Sequence, residues 1–157
     1  MESPLTLESF YEFCAQNKLM GARCKSCGAI LVPPRAVCPK CGSTDTQWTE
    51  LKGTGKLLTY SVVHVAPRAF QPFVPYAVGI VLLTEGARLP GMIRTDLKDL
   101  RIGLVLKAAF DPAQSESWPS WARYYFVRAG TLREYTGHSC WRKHPSGLAL
   151  PSFHEAL

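Results

Sequence analysis

Residues 24–42 read Cys24-Lys25-Ser26-Cys27-Gly28, then Ala29 to Val37, then Cys38-Pro39-Lys40-Cys41-Gly42, and this stretch decides the local fold. A Cys-x-x-Cys turn points two thiolates at one centre, and two such turns facing each other supply a tetrahedral sulfur cage of the kind Zn²⁺ prefers. The expectation is a zinc ribbon with Cys24, Cys27, Cys38 and Cys41 as ligands. Gly28 and Gly42 follow the two pairs, where a positive φ keeps backbone amides aimed at the sulfurs. A Zn²⁺ held by four thiolates carries two net negative charges, and Arg23, Lys25, Arg35 and Lys40 lie close in sequence to offset them. A redox Cys-x-x-Cys needs only one pair. Rubredoxin-type iron uses the same four sulfurs, and spacing does not separate it from zinc. Four protein ligands leave no position for water or substrate, so the expected role is structural.

The 157 residues suit one domain plus a small module, with 46% hydrophobic content to build a core. The N-terminus, Met1-Glu2-Ser3-Pro4, has neither the basic start nor the apolar segment of a secretory signal. Tyr76 to Leu83, the longest apolar stretch, falls far short of the roughly 18 residues of a membrane span. A cytoplasmic location is expected, where reduced thiols favour metal over disulfide. Cys14 and Cys140 are left over as small buried hydrophobes. The formal charge of +6 drops to about +4 once the cage is loaded. Such a surface is compatible with nucleic acid, an anionic membrane, an acidic protein or coenzyme A phosphates.

Around the ribbon the pattern is mostly extended. Residues 4–18 are the exception: Leu7, Phe10, Tyr11 and Cys14 at helical spacing predict a helix, opened by Pro4 after Ser3. It either packs back on the body or docks into a partner. Lys56 to Val65 predicts a long strand. A loop rich in proline and aromatics, Ala66 to Pro75, precedes a buried strand at Tyr76 to Leu83. A turn at Thr84 to Ala87 leads into Arg88 to Arg94, where Pro90 demands an edge or a bulge. Asp96 to Gly103 is a short connection with one helical turn, followed by strands at Leu104 to Phe110 and Trp121 to Arg128. Five strands beside a zinc module suit a Greek-key barrel of the OB type. The fold expected is thus mainly β: helix 1–20, ribbon 21–50, OB domain 51–128 and an irregular tail 129–157. His138, Cys140 and His144 in the tail lack a matching half-site for a second metal.

The aromatic helix, the two cysteine knuckles with Pro33-Pro34-Arg35 between them, Gly53-Thr54-Gly55, Thr59 to His64, Pro75 to Val78 and Glu85-Gly86 follow one another in a recognisable order. Over residues 4–128 the chain resembles a family of zinc-ribbon and OB-fold proteins associated with acyl-CoA enzymes, once catalogued as a domain of unknown function. The ribbon in that resemblance is rubredoxin-like. It implies a non-catalytic accessory subunit that binds or positions acyl-CoA and scaffolds a thiolase-like, acyltransferase or aldolase partner in a hetero-oligomer.

The residues agree with an accessory role. Four of six cysteines belong to the cage, and no Gly-x-Ser-x-Gly, Gly-x-x-x-x-Gly-Lys-Ser/Thr or His-Glu-x-x-His motif occurs. No catalytic residue is assigned. For an acyl-CoA ligand the loop after the first barrel strand is the candidate, with His64, Arg68, Phe70, Phe73 and Tyr76. A nucleic-acid-binding module is the alternative, since ribbons and OB folds also bind polynucleotides. The strands are aliphatic and short of cations, which disfavours it.

Overall fold

The computed structural model describes residues 4–111 and 123–130. The chain opens with α1, Leu7–Ala15. It is shorter than the expected 4–18, because Thr6, not Ser3, is the N-cap: its hydroxyl accepts from the Ser9 amide at 3.2 Å. The helix stops at Asn17, which takes φ 60°. There the amides of Asn17 and Lys18 donate to the carbonyls of Cys14 and Phe13, each at 3.0 Å, a Schellman closure. Of the expected apolar stripe, Phe10 and Cys14 are buried, Tyr11 is half-buried and Leu7 is exposed. The helix packs on the body.

A three-stranded antiparallel sheet of order β2-β1-β3 follows, with β1 Met20–Cys24, β2 Ile30–Leu31 and β3 Thr46–Glu50. The remaining strands close into a barrel of order β4-β5-β6-β8-β7. They are β4 Thr54–Val63, β5 Tyr76–Leu83, β6 Arg88–Ile93, β7 Val105–Asp111 and β8 Arg123–Arg128. This is the expected five-stranded OB barrel. A bulge between Leu57 and Thr59 bends β4, so that its first half pairs with β7 and its length pairs with β5. The connection after β6 contains the expected single turn, Leu97–Asp99, capped by the Asp96 carboxylate, which accepts from the Lys98 amide.

Pro90 sits where the expectation placed it, on a strand lacking one full neighbour. It pairs with Ile80 of β5, while β6 meets β8 only at Ile93 opposite Phe126. Side chains compensate at that seam. The Tyr124 hydroxyl donates to the Pro90 carbonyl at 2.9 Å, and Arg94 forms a bidentate ion pair with Asp111 while lying 3.7 Å from the Tyr125 ring centroid.

Strand β5 requires a correction. Its run of apolar residues predicts burial on both faces, yet only Ala77, Val81 and Leu83 point inward, whereas Val78 and Ile80 are exposed. The strand is aliphatic on two sides and covered on one. The inward set joins Leu57, Leu89, Ile93, Leu106 and Phe126, and the same core takes in Phe10 and Cys14 of α1 together with Leu19 and Leu51. Phe10 meets Tyr124 edge-to-face at 6.0 Å. The helix is therefore part of the barrel's core. Trp121, His138, Cys140 and His144 lie outside the described residues, as does all but Ala129 and Gly130 of the expected tail.

Candidate metal centre and barrel groove

The ribbon sheet places both knuckles at one end. Strand β1 ends in Cys24, with Arg23 opposite Ile30 on one side and Cys24 opposite Thr46 on the other, so the two cysteine turns face each other across it. The turns repeat the same hydrogen bonds. Gly28 N–H donates to the Cys24 carbonyl and Gly42 N–H to that of Cys38, each at 2.8 Å. Cys24 N–H donates to the Ala29 carbonyl and Cys38 N–H to that of Ser43, each at 2.9 Å. Gly28 and Gly42 have φ 72° and 75°, the conformation their position asked for. Ser26 donates to Ser43 at 2.9 Å, and Lys25 pairs with Asp45 at 2.9 Å, tying the knuckles together from outside.

The sulfurs of Cys24, Cys27, Cys38 and Cys41 all lie within 4.8 Å of one another, with Cys24–Cys41 and Cys27–Cys38 both at 3.6 Å. A tetrahedron with Zn–S bonds of about 2.3 Å has an edge of about 3.8 Å, whereas a disulfide requires about 2.05 Å. The spacing fits a metal cage. Electrostatics agree. The Cys27 amide foremost lowers the Cys24 thiol to about 6, and the Lys40 amide foremost lowers that of Cys38. At Cys41 the largest single influence, the Ser43 amide, favours the thiolate. Hydrogen bonds with the Cys27 and Cys24 sulfurs outweigh it and push the thiol up to about 12. Four thiolates cannot share this space without a cation, and a divalent ion held by the four sulfurs would take the place of the retained protons.

The second feature is an open groove of about 600 Å³ on the outer face of β4, β5 and β6. Val78, Ile80, Pro90 and Met92 form its floor, Thr59 and Ser61 edge it, and Phe70 and Tyr76 stand at one end with ring centroids 6.2 Å apart. Of the loop residues proposed from sequence, Phe70 and Tyr76 line the groove. His64 lies one residue past β4 and Arg68 opens a 3₁₀ turn, Arg68–Phe73; both are exposed and neither lines it. Phe73 closes that turn. The floor residues were missed in the sequence because β5 reads as uniformly apolar; its even-numbered positions, Tyr76, Val78 and Ile80, carry the signal. Among the described residues no helix is long and apolar enough to cross a membrane.

Known proteins share this layout. Residues 12–47 match the family model described as the ChsH2 rubredoxin-like zinc ribbon domain, and residues 48–111 match that of the ChsH2 C-terminal OB-fold domain. A "DUF35 domain-containing scaffold protein" of Methanocaldococcus jannaschii is 47% identical over 95 residues, spanning 59% of this chain and 67% of that one. The chain belongs to the DUF35 family. The "Benzoylsuccinyl-CoA thiolase subunit BbsA" of Thauera aromatica is 30% identical over 95 residues, 55% of this chain and 65% of that one. A "Probable enoyl-CoA hydratase alpha subunit" of Thermomonospora curvata is 42% identical over 51% of this chain, but the match spans only 25% of its own length. A solved structure titled "Ltp2-ChsH2(DUF35) aldolase" is 32% identical with a TM-score of 0.66, covering 78% of this chain and 93% of that one.

Proposed function

We propose that this chain is a non-catalytic accessory subunit that scaffolds a thiolase-like or related acyl-CoA-processing enzyme in a cytoplasmic hetero-oligomer. Cys24, Cys27, Cys38 and Cys41 hold a structural Zn²⁺ that fixes the ribbon, and the helix, ribbon and barrel act as one body because they share a core. The observation that carries the reading is the match to nearly the whole chain of the ChsH2 structure, whose title pairs it with an aldolase. The thiolase-subunit relative supports it. Residue chemistry points the same way: outside the cage, Cys14 is buried and burial raises its thiol to about 12, the opposite of an activated nucleophile.

Acyl-CoA binding belongs to this proposal, at the groove that Phe70 and Tyr76 line, bordered by the loop carrying His64, Arg68 and Phe73. A polynucleotide site of the OB type relies on stacked aromatics interleaved with cations; Tyr60, Phe70 and Tyr76 line this groove, but its floor is aliphatic and its lining holds no cation. Affinity purification from native extract, followed by mass spectrometry, is expected to recover a thiolase-like enzyme in stoichiometric amount. Recovery of the chain alone, or acyl turnover by the isolated polypeptide, overturns the proposal.

A further inference from the structure

The four cage sulfurs are not equally shielded. Cys24 and Cys38 are buried and Cys27 is half-buried, whereas Cys41 is exposed together with Pro39, Lys40 and Gly42 around it. A methyl group built on Gly42 would meet no atom within 4 Å, so nothing packs over this turn. The first knuckle is strapped on its outer side, where Lys25 pairs with Asp45 and Ser26 donates to Ser43. Lys40 stands in the second knuckle where Ser26 stands in the first, and among the described residues it forms no ion pair. Cys41 also has a shielded thiol behind it. The sulfurs pair off across the knuckles, Cys24 with Cys41 and Cys27 with Cys38, each at 3.6 Å, which is about 1.5 Å longer than a disulfide bond. A coordinating thiol is deprotonated outright, so the loaded cage presents Cys41 as a thiolate, the form that attacks peroxide. An accessible thiolate backed by a second sulfur is the arrangement oxidation selects. The ribbon, in turn, depends on the cage for its interior: its own buried cluster is Ala22, Cys24, Leu31 and Cys38, half of it metal ligands.

We propose that Cys41 is an oxidative modification site through which a peroxide opens the cage, with Cys24 as the resolving thiol in a disulfide across the two knuckles. The Cys41 sulfur attacks one peroxide oxygen, the O–O bond breaks, and the other oxygen leaves as hydroxide and takes a proton from solvent to become water. Cys41 is then a sulfenic acid. The Cys24 sulfur attacks the Cys41 sulfur, the S–S bond forms as the S–O bond breaks, and the departing hydroxide becomes a second water. Two sulfurs give up one electron each, and the peroxide gains two. Cys27 and Cys38 remain, two sulfurs where four held the ion, and Zn²⁺ passes to solvent. The ribbon loses its centre, and a thiol reductant with zinc restores it.

The test exposes the intact, zinc-loaded chain to hydrogen peroxide, with released zinc read by a chromogenic chelator and cysteine pairing by mass mapping of non-reduced peptides. Equimolar peroxide is expected to release zinc and to join the Cys24 and Cys41 peptides. Dithiothreitol with added zinc is expected to return the original melting temperature. Cys41→His keeps a four-ligand site of a kind that holds zinc, and is expected to slow release at least about tenfold. Cys27→His, at the half-buried ligand, is expected to leave the release rate within about twofold, as are Cys14→Ala and Cys140→Ser. Where Cys41→His fails to load zinc, the peptide map of the natural chain decides. Zinc retained under peroxide, oxidation that falls first on Cys14 or Cys140, or release that Cys41→His does not slow overturns the site. A first disulfide that omits Cys41 or Cys24 overturns it as well.

Discussion

Cys14 shows how a residue with reactive chemistry can be reduced to packing. It lies on the inner face of α1 near Tyr124, and burial raises both groups, Cys14 from 9.0 and Tyr124 from 10.0, each to about 12. For Tyr124 the charges of Tyr11 and Cys14 add to the effect of burial. In the unfolded chain these groups ionise near their ordinary values, so each stabilises the fold fully below its unfolded pKa and loses that contribution as pH rises toward 12. Stability is therefore expected to fall between about pH 9 and 12, and Cys14→Ala should flatten the early part of that decline. Melting temperatures measured from pH 8 to 11 check this; parallel curves for the two proteins would contradict it. At this scale the sequence was most legible at the cage, because ligand chemistry is local: two turns, two glycines and a fixed spacing determine it. Tyr76 and Phe70, singled out in the sequence as ligand candidates of the loop, both line the groove. His64 and Arg68 were not excluded, because exposure beyond a strand end depends on where the 3₁₀ turn begins.

Helix α1 illustrates what periodicity can and cannot say about an element. The spacing of Phe10 and Cys14 fixed its inner face, but the arc rotates away from Leu7, and Ser9 enters the interior instead, its hydroxyl accepting from Thr6 at 3.2 Å. No local signal tells that the helix completes the core of a barrel that begins only at Thr54. Phe10 is fully buried among Leu57, Leu106 and Phe126 as members of one core. Phe10→Ala is therefore expected to cost about 3–5 kcal/mol, measured by urea unfolding, and Phe10→Leu distinctly less. A loss below about 1 kcal/mol would mean that the helix is only laid on the surface. Strand β5 erred in the other direction. Its composition is that of a doubly covered strand, and only the pairing partners reveal that one face is left open, because hydrophobicity records what a side chain tolerates and not what lies over it.

Across the whole molecule the ribbon and barrel are not separable bodies, although two distinct family models describe them. Leu19 and Leu51 flank the ribbon sheet and enter the barrel core, and the Leu51 amide donates to the Leu19 carbonyl at 2.9 Å. Chelation of the metal is accordingly expected to lower the melting temperature of the entire protein in one transition. Two separate transitions, with the barrel's unchanged, would show the two units to be energetically independent. The five barrel strands, the OB-type barrel and the single turn before β7 were legible from chain order and turn chemistry; the neighbour order β4-β5-β6-β8-β7 was not spelled out there. The coupling between units was not, since it depends on long-range contacts that leave no periodic trace.

The burial of Phe10 against Tyr124 of the last barrel strand also orders events during synthesis. The cage needs only residues 24–42 and can capture metal while most of the barrel is still in the ribosomal tunnel, whereas α1 must wait for the last strand to emerge before its aromatic face is covered. Until then the greasy face of the helix stays uncovered in the nascent chain, a natural handle for chaperones.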